Sequence, residues 1–115
     1  MNEGMTFQEA INLYRGIYQR FEKIQGRKWG VEGSMMELAK QVGDLAKHVM
    51  VVEGYYYAGR ENRASYEGGK KAIGDELADV FGQLIRIADY YEIDLQEAHC
   101  AARQAEDEAL REKGA

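Results

Sequence analysis

The chain has 115 residues, of which 45% are apolar and 30% are charged, with thirteen glycines, no proline and a formal charge of −5. This length fits a single domain, which we expect to span residues 1–115. The composition is globular and excludes a disordered, collagen-like or disulfide-stapled chain. The acidic balance disfavours a general DNA or RNA binder, because such a protein needs a basic face.

Cysteine content and the apolar runs indicate where the protein acts. Cys100 is the only cysteine, so no internal disulfide can form, and a reducing, cytoplasmic location is the simplest interpretation. The N-terminal segment has no apolar core typical of a secretory signal, and no apolar run approaches the ~20 residues of a membrane span. The sequence therefore predicts a soluble protein with no membrane partner.

Two helices are predicted in the first half of the chain. Thr6 and Glu9 have the spacing of a capping box, so the first helix is expected to begin at Thr6. Its apolar residues recur at threes and fours: Phe7, Ala10, Ile11, Tyr14, Ile17, Tyr18, Phe21 and Ile24. After a loop through Gly33, Ser34 and Glu37 repeat the capping-box spacing and predict that the second helix begins at Ser34. Its apolar stripe is Leu38, Val42, Leu45, Val49 and Val52.

Two further helices are predicted in the second half. The third begins between Lys70 and Ile73, and its apolar residues alternate steps of four and three: Ile73, Leu77, Val80, Leu84, Ile87 and Tyr91. Asp94 and Glu97 predict the start of a fourth helix that runs to about Arg111. Gly43 and Gly82 lie inside predicted helices at a cost of roughly 1 kcal/mol each relative to alanine. Close approach of a helix or ligand would justify that cost; the alternative is that one of them only weakens its helix.

Polar residues form rows beside the apolar stripes of the second and third helices. At 100° per residue, Glu37, Gln41, Asp44 and His48 share one flank of the second helix. Glu76, Asp79 and Gln83 form a comparable row on the third helix. Helical bundles build metal sites from such facing rows, and oxygen ligands suit Mg²⁺. Acids in this position are also typical of the solvated flank of an ordinary helix.

Two segments resemble the all-α, MazG-like nucleoside triphosphate pyrophosphohydrolases. They are Leu38 to Ala46 (LAKQVGDLA) and Asp75 to Phe81 (DELADVF), the latter followed by IRIADYYEIDL over 85–95. In that family a Val-Gly-Glu-Leu helix carries a Glu-x-x-Glu pair, and a later Glu-Leu-x-Asp helix carries a Glu-x-x-Asp pair. The resemblance covers roughly Trp29 to Ala98 and implies an all-α, four-helix, MazG-like bundle. We expect oligomerisation into a homodimer or homotetramer to complete this bundle.

The resemblance also implies an activity, which is Mg²⁺-dependent cleavage of a nucleotide between its α and β phosphates, with Mn²⁺ as an alternative ion. Glu76 and Asp79 match the second acidic pair, and Glu76 is expected to be catalytic. Asp44 stands where the second Glu of the first pair is expected. Gln41 stands where its first Glu is expected, and an amide oxygen can ligate Mg²⁺ but cannot act as a general base. The implied metal ligands are therefore Gln41, Asp44, Glu76 and Asp79.

Glu37 has two interpretations that the sequence leaves open. It lies one turn before Gln41 on the same flank of the second helix, so it could supply the missing carboxylate as a catalytic residue. Alternatively, it is the third helical position after Ser34 and serves only to cap the backbone.

Basic and aromatic residues near the long segment from Gly54 to Gly69 are candidates for substrate binding. Its basic residues and the first residues of the third helix could hold phosphates: Arg60, Arg63, Lys70 and Lys71. Trp29 or the tyrosines at 55–57 could stack on a base. Similar family members often place a lysine in the last helix toward the phosphates, and Arg103 lies in that neighbourhood. The alternative is that the basic residues only solubilise the segment, while the tyrosines pack it down or line a subunit interface.

Three other functions are compatible with these residues. One is a catalytically degenerate module that binds a nucleotide without cleaving it, and the second is a purely structural helical oligomer. The third is phosphoribosyl-ATP pyrophosphatase, a related member of the same superfamily with a weaker sequence match.

Overall fold

The computed structural model describes residues 4–56 and 68–115, and every regular element in these two ranges is an α-helix. The helices are α1 (Phe7–Gln25), α2 (Val31–Val52), α3 (Gly69–Tyr90) and α4 (Leu95–Glu112). The prediction of four helices is confirmed. None of the described helices combines the length and apolar character that a membrane crossing requires.

The chain divides into two compact units, of which the second carries the acidic rows. The first unit consists of Met1–Lys28 and Ala88–Ala115, and the second consists of Trp29–Ile87. The first unit therefore contains α1, the last turn of α3 and α4. The second unit contains α2 and most of α3.

Side-chain caps begin α1 and α4 as the sequence predicts. The backbone N–H of Glu9 donates to Thr6 Oγ1 at 3.1 Å, and the N–H of Thr6 donates to Glu9 Oε1 at 2.9 Å. These reciprocal bonds satisfy backbone donors that a helix start leaves unpaired. The N–H of Glu97 likewise donates to Asp94 Oδ1 at 3.0 Å.

The predicted start of α2 at Ser34 is wrong. The helix begins at Val31, and its N-cap is Gly30, whose extended backbone makes no side-chain cap bond. Ser34 lies inside the first turn, where its N–H donates to the Gly30 carbonyl at 3.2 Å and its side chain is buried. Since Ser34 does not cap the helix, Glu37 is not the partner in a capping box.

The helical stripes are buried over only part of their length. Among the described residues, the buried apolar side chains are Ile11, Ile85 and Ala88. Phe21 and Ile24, at the end of the α1 stripe, are exposed, so α1 does not bury its predicted face throughout. The core formed by the described residues is therefore small, and several large apolar side chains among them are exposed.

An ionic network within the first unit joins α1 to the end of α3. The Arg15 guanidinium donates to both Asp89 oxygens, from Nε at 2.9 Å and from Nη2 at 2.8 Å. The Tyr18 hydroxyl donates to Asp89 Oδ2 at 2.6 Å. Burial alone would raise the pKa of Asp89, but the hydrogen bonds from Arg15 and Tyr18 outweigh it and lower that pKa.

Candidate metal centre

The two acidic rows belong to the same compact unit, and the charges of one row interact with the charges of the other. On α2, Glu37, Gln41, Asp44 and His48 are all half-buried. On α3, Glu76 is half-buried and interacts with the charges of Asp44 and His48. Asp79 is exposed and interacts with the charges of Glu37 and Asp44. The predicted ligands therefore share one negatively charged region between α2 and α3.

Among the described residues, two buried side-chain oxygens have no hydrogen-bond partner, and both belong to the polar row of α3: Glu76 Oε2 and Gln83 Oε1. Glu76 is the one that carries a charge. Burial raises the pKa of Glu76 above its usual range, and the neighbouring charges of Asp44 and Asp79 raise it further. A buried acceptor without a partner is costly, so this oxygen favours a bound cation or a proton.

The pKa of Asp79 is also raised, although this residue is exposed. Burial raises its pKa first, and the charges of Asp75 and Glu37 raise it further. Lys40 lowers it in part. The carboxylates around Glu76 and Asp79 raise the pKa values of these two groups, and such a cluster of like charges creates a local potential that attracts cations.

Glu37 and Gln41 form one hydrogen-bonded unit on α2. Gln41 Nε2 donates to Glu37 Oε2 at 2.8 Å. This bond orients the Glu37 carboxylate, and it leaves the Gln41 amide oxygen as a possible ligand. The pair stands at a spacing of four residues, where side chains on a helix meet.

Lys40 is a functional candidate that sequence reasoning missed. Its Nζ lies 3.7 Å from Glu37 Oε2 and 3.4 Å from Asp44 Oδ2. The charge of Glu37 and a hydrogen bond to Asp44 raise the pKa of Lys40. Its spacings of three and four from those two acids could have revealed it. The Lys40 ammonium group therefore neutralises part of the negative charge of Glu37 and Asp44.

The donor atoms suit a hard cation, although the side chains do not form a complete coordination site in the described residues. Across 4–56 and 68–115, no group of three or more His, Cys, Asp or Glu side chains is arranged to hold a metal ion. The nearby donors are carboxylate and amide oxygens, the ligands that Mg²⁺ takes in proteins. The unpaired Glu76 Oε2 gives such an ion a specific partner.

The predicted base-stacking residue Trp29 also lies in the second unit. The Arg86 guanidinium sits 4.9 Å from the centroid of its ring. On α2, a Cβ at Gly33 would lie 3.6 Å from the Trp29 side chain, so the indole packs on the first turn of the helix. Sequence reasoning missed Arg86, which adds a cation at this aromatic surface.

The remaining substrate candidates are dispersed. Arg60, Arg63 and Tyr57 lie outside the described residues. Lys70 is exposed at the start of α3, and Lys71 Nζ pairs with Asp75 Oδ2 at 3.0 Å on its surface. Arg103 belongs to the first unit and pairs with Glu106 at 2.8 Å.

The raised pKa values of Glu76 and Asp79 predict that the protein loses stability as pH rises. The folded protein holds these protons more tightly than the unfolded chain, whose carboxyls titrate near pH 4. The unfolding free energy contributed by these groups therefore decreases as pH increases through their raised pKa values. Thermal unfolding at low salt between pH 4.5 and 7.5 should show a smaller pH dependence for the Glu76→Gln, Asp79→Asn double variant than for the natural chain. Equal pH dependence of the two proteins would contradict this expectation.

The fold and site together define an all-helical protein with a partly buried acidic cluster between two helices. Comparisons of the chain with protein-family models, with curated proteins and with solved structures find no match.

Proposed function

We propose that the protein is a Mg²⁺-dependent nucleoside triphosphate pyrophosphohydrolase of the nucleotide-pool housecleaning type. It would cleave ribo- or deoxyribonucleoside triphosphates between the α and β phosphates and release a monophosphate and pyrophosphate. The observation that carries the proposal is the buried, unpartnered Oε2 of Glu76 within a group of carboxylates. We also propose that it acts in the cytoplasm, where its single cysteine stays reduced.

The metal ligands in this proposal come from both helices. Asp44, Glu76 and Asp79 supply carboxylate oxygens, and Gln41 supplies its amide oxygen. When bound, Mg²⁺ or Mn²⁺ would polarise the triphosphate and lower the pKa of a coordinated water. The carboxylates offset the positive charge of the ion, while Lys40 attracts the phosphates.

Glu37 supplies the carboxylate that is absent at position 41. Its role as a helix cap is excluded by the start of α2 at Val31. The hydrogen bond from Gln41 Nε2 holds its carboxylate beside the other acids. In this arrangement Glu37 is the residue that accepts a proton from water, and Gln41 orients it.

Substrate recognition is assigned to aromatic and basic residues of the second unit. Trp29, with Arg86 against its ring, offers an aromatic surface for a base. The cations assigned to the phosphates are Lys70 and Lys71, at the start of α3.

The exchange of Glu37 and Gln41 tests which residue provides the carboxylate. Glu37→Gln is expected to lower turnover by at least about 10-fold, because a neutral amide cannot accept the proton. The double variant Glu37→Gln, Gln41→Glu retains the hydrogen-bonded pair and returns a carboxylate to the site, so it should recover most of the activity. Rates of pyrophosphate release by the natural chain and both variants measure this. Full activity of Glu37→Gln alone would show that Glu37 is not catalytic.

A pyrophosphate-release screen tests the proposed function as a whole. Purified protein with Mg²⁺ or Mn²⁺ is incubated with a panel of common and damaged nucleoside triphosphates. Release of pyrophosphate and monophosphate in equal amounts from at least one substrate is expected. Release from none of them would reject the enzyme proposal.

The second candidate is a nucleotide-binding module without catalysis. The observation that favours it is the neutral Gln41 at a position where the resembling family has a carboxylate. Calorimetry distinguishes the two functions, since Mg²⁺-dependent nucleotide binding without any product would favour the module.

A further inference from the structure

The exposed side of α2 is apolar, which reverses the usual orientation of a surface helix. Nine residues of α2 are exposed within an arc of about 140° at 100° per residue; one is Glu32, in the first turn, and the other eight are apolar or glycine. These eight are Met35, Met36, Ala39, Val42, Gly43, Ala46, Val49 and Met50. We call this set the α2 outer face. The polar row from Glu37 to His48 lies on the opposite side of the helix and is half-buried.

This face is too apolar for a surface that stays in water. Met36 is 74% exposed and Val42 is 48% exposed, although Val42 belongs to the stripe predicted to be buried. Continuous apolar surface of this kind marks an interaction site, because covering it removes apolar area from water.

The sequence of the α2 outer face is nearly the same in both directions about the midpoint between Val42 and Gly43. Ala39 and Ala46 are equidistant from this midpoint. Two further pairs are also equidistant from it, Met36 with Val49 and Met35 with Met50. A two-fold axis at the midpoint would therefore pair large with large and small with small at these three positions, and would bring Val42 to the open surface at Gly43 of the other copy.

Two copies of α2 can approach closely at this midpoint. A Cβ at Gly43 would meet no atom within 4 Å, so the surface beside Gly43 is open. Ala39 and Ala46, one turn to either side, have short side chains that also leave room for a second helix. A two-fold interface requires one patch to be complementary to itself, and the mirrored order of the outer face satisfies that requirement.

We propose that the α2 outer face is a homodimer interface in which α2 packs antiparallel against α2 of a second copy, around an axis between Val42 and Gly43. The 22 residues of α2 span about 33 Å, so two antiparallel copies of the helix can pair along the whole length of the outer face. A second copy explains the mirrored order, which a foreign partner does not require. The formal charge of −5 disfavours an anionic membrane surface as the occupant. The proposal is independent of the nucleotide chemistry.

Cysteine cross-linking tests both the partner and the direction of packing. In a Cys100→Ser background, Gly43→Cys protein should be cross-linked into a dimer by a short bismaleimide, because the two positions 43 meet near the axis. Met36→Cys protein alone should remain uncross-linked, since its own counterpart lies 13 residues away along the helix, about 20 Å. A mixture of Met36→Cys and Val49→Cys proteins should yield the cross-linked heterodimer. Self-linking of Met36→Cys without cross-linking of the mixture would reject the antiparallel arrangement.

Charge insertion tests whether the outer face holds the dimer together. Sedimentation should show a dimer for the natural chain, and Val42→Lys should weaken it by at least about 100-fold, because the change occurs twice near the centre of the interface. Leu110→Lys is the matched control, since Leu110 is similarly exposed on α4 of the other unit. It should remain dimeric. A natural chain that is monomeric, or that is monomeric and co-sediments with phosphatidylcholine vesicles, would overturn the proposal, as would a Val42→Lys dimer of unchanged affinity.

Discussion

Replacing Glu76 by glutamine is expected to reduce pyrophosphate release by at least about 100-fold, because it removes a charged metal ligand in the proposed site. The same change should leave the metal-free protein at least as stable as the natural chain. Burial and the charges of Asp44 and Asp79 already disfavour an ionised Glu76, so a neutral amide of similar shape relieves this repulsion. Steady-state turnover and thermal unfolding, measured on the same samples, separate lost chemistry from lost folding.

Asp75 provides the matched control for Glu76. It is the neighbouring acid on α3, but its side chain is 66% exposed and pairs with Lys71 on the surface. Asp75→Asn removes the same charge from the helix without removing a proposed ligand, so its turnover should stay within about 3-fold of the natural value. If the two variants lose activity equally, the effect is one of general charge, and Glu76 has no specific role.

The helix starts show what local sequence can and cannot predict. Thr6 and Asp94 carry oxygen-bearing side chains directly before a periodic segment, and both cap helices as predicted. Ser34 has the same signature three residues before Glu37, yet α2 begins earlier, at Val31. The N-cap of that helix is Gly30, which has no side chain to accept a capping hydrogen bond, so no capping residue in the sequence marks where the helix begins.

The acidic rows were predictable because they depend only on helical spacing. Glu76 and Asp79 stand on α3 near the charges of Asp44 and Glu37, as the rows require. Periodicity could not reveal which part of a stripe becomes covered. Val42 belongs to the predicted apolar stripe of α2 and is exposed, because burial depends on what packs against the helix.

Contacts between distant parts of the chain were also beyond sequence reasoning. Arg15 and Asp89 are 74 residues apart, and neither spacing nor composition associates them. Their pairing requires α1 to lie beside the end of α3 within the first unit. This network makes Asp89 the polar residue of that unit whose replacement should cost the most stability.

Replacing Asp89 by asparagine is expected to lower the free energy of unfolding by about 2 kcal/mol at pH 7, because hydrogen bonds to charged groups contribute roughly 1.5–3 kcal/mol. The asparagine cannot accept both Arg15 bonds and the Tyr18 bond as a carboxylate does. The side chain of Asp89 is 16% exposed, so solvent compensates little for the loss. Denaturant unfolding of the natural chain and the variant gives this difference directly.

The pH dependence of that difference identifies its cause. Because the pKa of Asp89 is lowered in the folded protein, its stabilising contribution is complete above the unfolded value near 3.9 and is lost as pH falls through the folded value. The gap between the natural chain and Asp89→Asn should therefore be constant from pH 5 to 7 and close only in stronger acid. Asp107→Asn is the control, since Asp107 pairs with Arg111 on the surface of α4 and should contribute under about 0.5 kcal/mol. A gap that is no larger for Asp89 than for Asp107 would mean that the Arg15 network does not stabilise the first unit.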